Sequence, residues 1–194
     1  MSTALALKNT EIDDLYAQLE ALPERLTGEI IDGQLYTQPR PAGPHASAGS
    51  ILQIEIGAPY DRGRGGPGGW RIIIEPELHF VRDTQVLVPD IAGWRRERLP
   101  TIPRDQRFEV VPDWVCEILS PSTARKDRTR KMPLYARYGV AWLWLVDPLA
   151  HTLEAFALEQ GRWVVIGQYG DQTEANIPPF QEIALQLADL WAET

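Results

Sequence analysis

Two acids and a lysine stand out against their surroundings. Glu117 interrupts the apolar run Trp114, Val115, Cys116, Ile118 and Leu119, which reads as a strand buried on both faces. Asp90 ends a second apolar stretch, "VLVPD", where Val86, Val88 and Asp90 fall on one face by strand alternation, subject to a shift at Pro89. An ionised carboxylate in an apolar interior is costly without a partner, and two together repel unless a cation lies between them. That cation is either a lysine or a divalent metal. An all-oxygen donor set completed by water suits Mg²⁺ or Mn²⁺. The competing reading is that each acid caps a turn or pairs with an arginine.

Lys131 is the third residue. After Glu117 the chain breaks at Ser120-Pro121-Ser122-Thr123 and runs into Arg125, Lys126, Arg128, Arg130 and Lys131. On a helix, Asp127, Lys131, Leu134, Tyr135 and Tyr138 share a face. Leu134 and the tyrosines should pack on a sheet, which turns Lys131 toward the strand of Glu117 and leaves Arg128 and Arg137 to solvent. Pro133 either kinks this helix or falls in its first turn. The alternative is a surface Asp127–Lys131 pair, worth little.

The remaining chemical groups give weaker signals. His79 and His151 have no partners at zinc-ligand spacing. Cys116 points to the opposite strand face from Glu117 and reads as core, with no base in sight to make it a nucleophile. Gly63, Gly65 and Gly68 form a G-x-G-x-x-G, but it precedes a strand instead of following one, so a mobile surface loop is the better reading. His45 opens a helix, where capping or packing outweighs a role in a site.

The elements that would position these residues are a mixture of helices and strands. "EIDDLYAQLEAL" places Ile12, Leu15, Leu19 and Leu22 at helical spacing, and "GEIIDGQLYTQ" reads as a hairpin turning at Asp32-Gly33. "HASAGSILQIEIGAPY" reads as a helix. "WRIIIEPELHF" and "QVLVPDIAGW" read as one antiparallel hairpin about "VRDT". Next come the strand at 114–119, a helix ending at Gly139, the strand "VAWLWLVDP" and a hairpin turning at Gln160-Gly161. The order predicts an α/β (α+β) fold with a mixed central sheet flanked by helices and extra hairpins toward both ends.

With 194 residues, the chain is expected to form a single domain with a sizeable core. One cysteine excludes a disulfide framework and suits a reducing cytoplasm. The first residues lack the pattern of a signal peptide, and no apolar run is long enough for a membrane span. A net charge of −8 argues against a nucleic-acid partner at first sight. The distribution softens this. Residues 1–36 carry a net −5 and residues 147–194 a net −7, whereas 37–146 carry a net +4. Arg95, Arg96, Arg98, Arg125, Lys126 and Arg128, in that middle region, are therefore the candidates for contacting a polyanion. Solvated arginines remain the plainer reading on charge alone.

"VPD" followed by "WVCEILSPST", "DRTRK", "LYARYGV" and "LWLVDP" resembles a large bacterial family of restriction endonucleases within the PD-(D/E)XK nuclease superfamily. The resemblance runs from about Glu29 to about Trp163. It implies a restriction-endonuclease-like fold, Pro89-Asp90 as the "PD" and Glu117 as the second acid. The superfamily lysine usually lies two residues past that acid, where this chain has Leu119. The family resembled here places it on the following helix, at Lys131, in agreement with the helical-face argument. The activity implied by the resemblance is that of a Mg²⁺-dependent (or Mn²⁺-dependent) endonuclease acting on DNA. Asp90, Glu117 and the Ile118 carbonyl would hold the metal, and Lys131 would assist the attacking water. Glu29 and either Glu75 or Glu77 are candidates for a further acid, with His45 and Asp127 in supporting positions. Dimerisation is expected by analogy with the superfamily. The rival readings are a nuclease-fold interaction module with little or no activity, and a hydrolase of a small phosphodiester.

Overall fold

The computed structural model describes residues 15–40, 43–170 and 173–191. The chain forms two compact units. The first takes the described residues up to Arg40 together with Glu77–Val88 and Pro103–Val110. The second takes the intervening stretches and the described residues from Val111 onward.

In the first unit a helix over residues 15–20 (α1) precedes strands β1 (Leu26–Ile31) and β2 (Gln34–Pro39). Asp32 and Gly33 both have positive φ, 49° and 74°, as a two-residue hairpin turn requires. Strands β4 (Glu77–Val81), β5 (Gln85–Leu87) and β7 (Arg107–Phe108) complete a sheet ordered β2-β1-β5-β4-β7. Tyr16, Leu19, Ile30 and Val86 form its apolar cluster, so Leu19 buries as its spacing predicts. Ile12 lies outside the described residues.

The second unit holds helix α2 (Pro44–Ile56) and strands β3 (Trp70–Ile74), β6 (Ile91–Arg95), β8 (Trp114–Ile118), β9 (Trp142–Asp147), β10 (Thr152–Glu159) and β11 (Arg162–Tyr169). Their sheet is mixed, ordered β11-β10-β9-β8-β6-β3, with β8 and β9 parallel and the other pairs antiparallel. All five residues of β8 are buried, Glu117 among them. Short helix α3 (Ala124–Lys126), a widened π-type turn (Asp127–Lys131) and α4 (Met132–Tyr138) connect β8 to β9. Pro133 lies at the start of α4, directly after the π-type turn where the helical ladder is already widened, and Gly139 caps the end of α4 at φ 81°. Strands β12 (Glu174–Ala175) and β13 (Leu185–Gln186) and a 3₁₀ turn at Leu187–Leu190 complete the described chain. Phe180 packs at 4.7–5.6 Å against the rings of Tyr60, Trp70, Trp114 and Trp144 at the centre of the main core.

One expectation is corrected. "WRIIIEPELHF" and "QVLVPDIAGW" do not form one continuous hairpin. Each breaks at its proline, Pro76 and Pro89, where no ladder hydrogen bond can be donated. The inner halves, β4 and β5, pair in the sheet of the first unit. The outer halves, β3 and β6, pair in that of the second. The break leaves Asp90 in a bend immediately before β6, so it does not share a strand face with Val86 and Val88.

Candidate active site

Four elements of the second unit converge on Asp90 and Glu117. In the antiparallel ladder between β6 and β8, Ile91 pairs with Cys116, Ala92 with Val115 and Gly93 with Trp114. Continued by one residue, that register sets Asp90 opposite Glu117. The Ile118 N–H donates to Asp90 Oδ2 at 2.6 Å. Helix α2 crosses β8 closely enough that a Cβ on Gly49 would come within 3.2 Å of Ile118. This approach brings His45, one turn earlier on α2, to the acid: His45 Nε2 stands 2.7 Å from Asp90 Oδ1. The N-terminus of α2 has no side-chain cap, so His45 does not serve in that role.

Glu117 is met from the helical side. Lys131 Nζ lies 2.8 Å from both Oε1 and Oε2. Tyr135, one turn further on, donates its hydroxyl to Oε1 at 2.5 Å. Asp127 Oδ1 is 3.9 Å from the same ammonium. Glu117, Asp127 and Lys131 are each at most 3% exposed and Tyr135 is fully buried. The Asp127–Lys131 contact is thus no surface pair: the face that carries it also carries Leu134 and Tyr135 into the interior. A buried carboxylate needs a positive partner, which is the reason for the lysine that the sequence already supplies. The role of Tyr135 is not evident from the sequence alone; its spacing of four from Lys131 is the available signal.

Cys116, next to Glu117 on β8, is completely buried in the main core. Burial pushes its thiol pKa well above the ordinary value, and the negative charges of Asp90 and Glu117 push it further. The folded chain therefore holds the thiol protonated at pH values where the unfolded chain releases it, and stability from this group declines as pH rises above about 8.5. Native protein at pH 8 should leave an aromatic disulfide thiol reagent unreacted, with one thiol per chain titrating after denaturation. Stoichiometric reaction of the native protein would contradict this burial.

The other candidate acids are placed differently. Glu75 has an exposed side chain, and its N–H donates to the Asp90 carbonyl at 3.0 Å. Glu29 belongs to the first unit, where it accepts from Val88 N at 2.9 Å. Glu77, also in the first unit, accepts from Tyr16 at 2.9 Å. Among the described residues no three His, Cys, Asp or Glu side chains form a metal-binding group. The arginines divide as well. Arg96 pairs with Asp61 at 2.9 Å, Arg98 with Asp113 at 2.5 Å and Arg128 with Glu154. Arg95 lies over the Trp70 ring at 4.1 Å, and Arg125 belongs to α3. Among the described residues no helix is long and apolar enough to cross a membrane.

Comparison with known proteins bears on the family and the fold. No curated protein matches the chain. A crystal structure from Anabaena variabilis ATCC 29413, described as a "putative nuclease belonging to DUF820", superposes with a TM-score of 0.67 at 24% identity. The match covers 91% of this chain and 96% of that one, which shows a common fold. A family model described as "Uma2: Putative restriction endonuclease" matches residues 13–188. That match spans nearly the whole sequence, and the chain belongs to the Uma2 family of restriction-endonuclease-like proteins.

Proposed function

We propose that this protein is a divalent-metal-dependent endonuclease that hydrolyses phosphodiester bonds of DNA. The observation that carries the reading is that Asp90 accepts from the Ile118 N–H, the residue next to Glu117, while Lys131 is buried against that second acid. Family membership supports the same class of chemistry. Two carboxylates on neighbouring segments, an all-oxygen donor set that water and phosphate oxygens would complete, suit Mg²⁺ or Mn²⁺ better than a softer ion. Asp90 and Glu117 would hold it, with the Ile118 carbonyl as a further oxygen donor. When bound, such an ion supplies Lewis acidity at the phosphate and favours the hydroxide form of water.

The protein's own groups have separate tasks. His45 and the Ile118 N–H fix the Asp90 carboxylate by one oxygen each. Tyr135 fixes Glu117. Lys131 places a positive charge where the phosphate would gain negative charge, and its amine can orient the attacking water or move a proton from it. Arg95, Arg125 and Lys126 would contact the phosphate backbone. Arg96, Arg98 and Arg128 would first have to exchange their carboxylate partners for phosphates. Backbone contacts of this kind make binding weaken steeply with salt, which a hydrolase of a small phosphodiester would not show.

The direct test is nicking of supercoiled plasmid with Mg²⁺ or Mn²⁺, with and without chelator, alongside thermal unfolding. Millimolar Mn²⁺ should raise the melting temperature of the wild type, because a ligand of the native state stabilises it. Asp90→Asn, which keeps the size of the side chain, should abolish the rise. An equal response in both proteins would place the ion elsewhere. Absence of cleavage on any nucleic acid would favour the interaction-module reading.

A further inference from the structure

We propose that the Lys131 ammonium is the resident cation of the acid site, and that a divalent ion enters by exchange with it as Lys131 moves onto Asp127. The proposal rests on the reading of Asp90 and Glu117 as ion ligands and concerns how that site is loaded. Nζ is equidistant from the two oxygens of Glu117, 2.8 Å from each. It therefore lies astride the carboxylate and engages both of the oxygens through which Glu117 would bind an ion. Mg²⁺ binds oxygen at about 2.0–2.1 Å, so an ion on Glu117 would compete with the ammonium for the same oxygens. Lys131 is 1% exposed and Glu117 2%, which leaves little water to screen one positive charge from another. The two cations exclude each other at those oxygens and by charge.

The surroundings offer the lysine a second position. Asp127 Oδ1 is 3.9 Å from Nζ, buried, and one turn earlier on the same segment. The backbone between them is the π-type turn Asp127–Lys131, where the helical ladder is already widened. A shift of the ammonium from Glu117 to Asp127 keeps it paired while it clears the ion's place. Tyr135 would stay on Oε1 and hold Glu117 in orientation through the exchange. The cost of moving Lys131 is then part of every binding event, and the apparent affinity for the ion is lower than the two carboxylates alone would give.

Two measurements decide this without reference to cleavage. Mn²⁺ binding can be followed by electron paramagnetic resonance in the wild type, Lys131→Met and Asp90→Asn. Removing the resident cation should tighten Mn²⁺ binding by at least about tenfold, a gain that structural damage does not produce. The second measurement uses the wild type alone. The chain has three lysines, so ¹⁵N labelling of lysine gives three side-chain signals by nuclear magnetic resonance. The Lys131 Nζ signal should shift in saturating Mg²⁺, as its partner changes from the Glu117 carboxylate to that of Asp127. Unchanged or weaker Mn²⁺ binding in folded Lys131→Met overturns the exchange. If that variant does not fold, a Lys131 signal left unchanged by saturating Mg²⁺ overturns it. Should the wild type bind Mn²⁺ and Asp90→Asn not, either negative result removes the exchange alone. No Mn²⁺ binding in any protein removes the ion site, and the exchange with it.

Discussion

Lys131→Met should lower the free energy of unfolding by about 3–5 kcal/mol, the cost of breaking a buried ion pair by removing one partner. A surface pair would cost less than about 1 kcal/mol, and the difference decides which kind of contact this is. The larger figure applies because both partners are enclosed: Lys131 is 1% exposed and Glu117 2%. After the substitution Glu117 keeps the Tyr135 hydroxyl but no lysine, and the carboxylate remains inside. Much of the loss is the penalty of that stranded charge and not the worth of the pair. Removing both charges should therefore cost less than removing one. Lys131→Met combined with Glu117→Leu should recover part of the single-mutant loss. Urea unfolding at pH 7 of the wild type, both single variants and the double variant measures this. A loss below about 1 kcal/mol in Lys131→Met would mean that the buried pair contributes no more than a surface one.

Cleavage is expected to be more sensitive than stability to the same position. Lys131→Met should reduce plasmid nicking by on the order of a hundredfold or more, the scale for losing a positioned transition-state stabiliser or general acid–base group. Lys131→Arg should rescue it poorly. A guanidinium keeps the charge but does not give up a proton near neutral pH, and it is bulkier than the ammonium whose buried place it would have to fill. The assay needs matched folded fractions, which circular dichroism at low temperature supplies. Full activity in Lys131→Met would remove this lysine from the chemistry while leaving its contact with Glu117 intact.

Much of the site was legible because buried charge is constrained. The apolar residues around Glu117 required a positive partner, and the spacing Asp127, Lys131, Leu134 and Tyr135 put Lys131 on the packed side of its helix. Local chemistry also specified the turns at Asp32-Gly33 and Gln160-Gly161 and the glycine cap at Gly139, since each needs a positive φ that few residues adopt. These features depend on neighbours within a few positions, which a sequence displays directly. The register of Asp90 with Glu117, the approach of His45 and the third hold on Glu117 by Tyr135 do not. They arise from residues 27, 45 and 18 positions apart, joined by a sheet ladder and by a helix crossing at Gly49. The prolines at 76 and 89 were visible, yet which half of each strand would join which sheet was decided by strand pairing between distant segments. The sequence by itself determined that two acids set in apolar segments and a lysine must be satisfied. Tertiary packing alone decided which donors satisfy each oxygen, because hydrogen-bond partners across a fold are selected by distances of a few ångströms that no local pattern encodes.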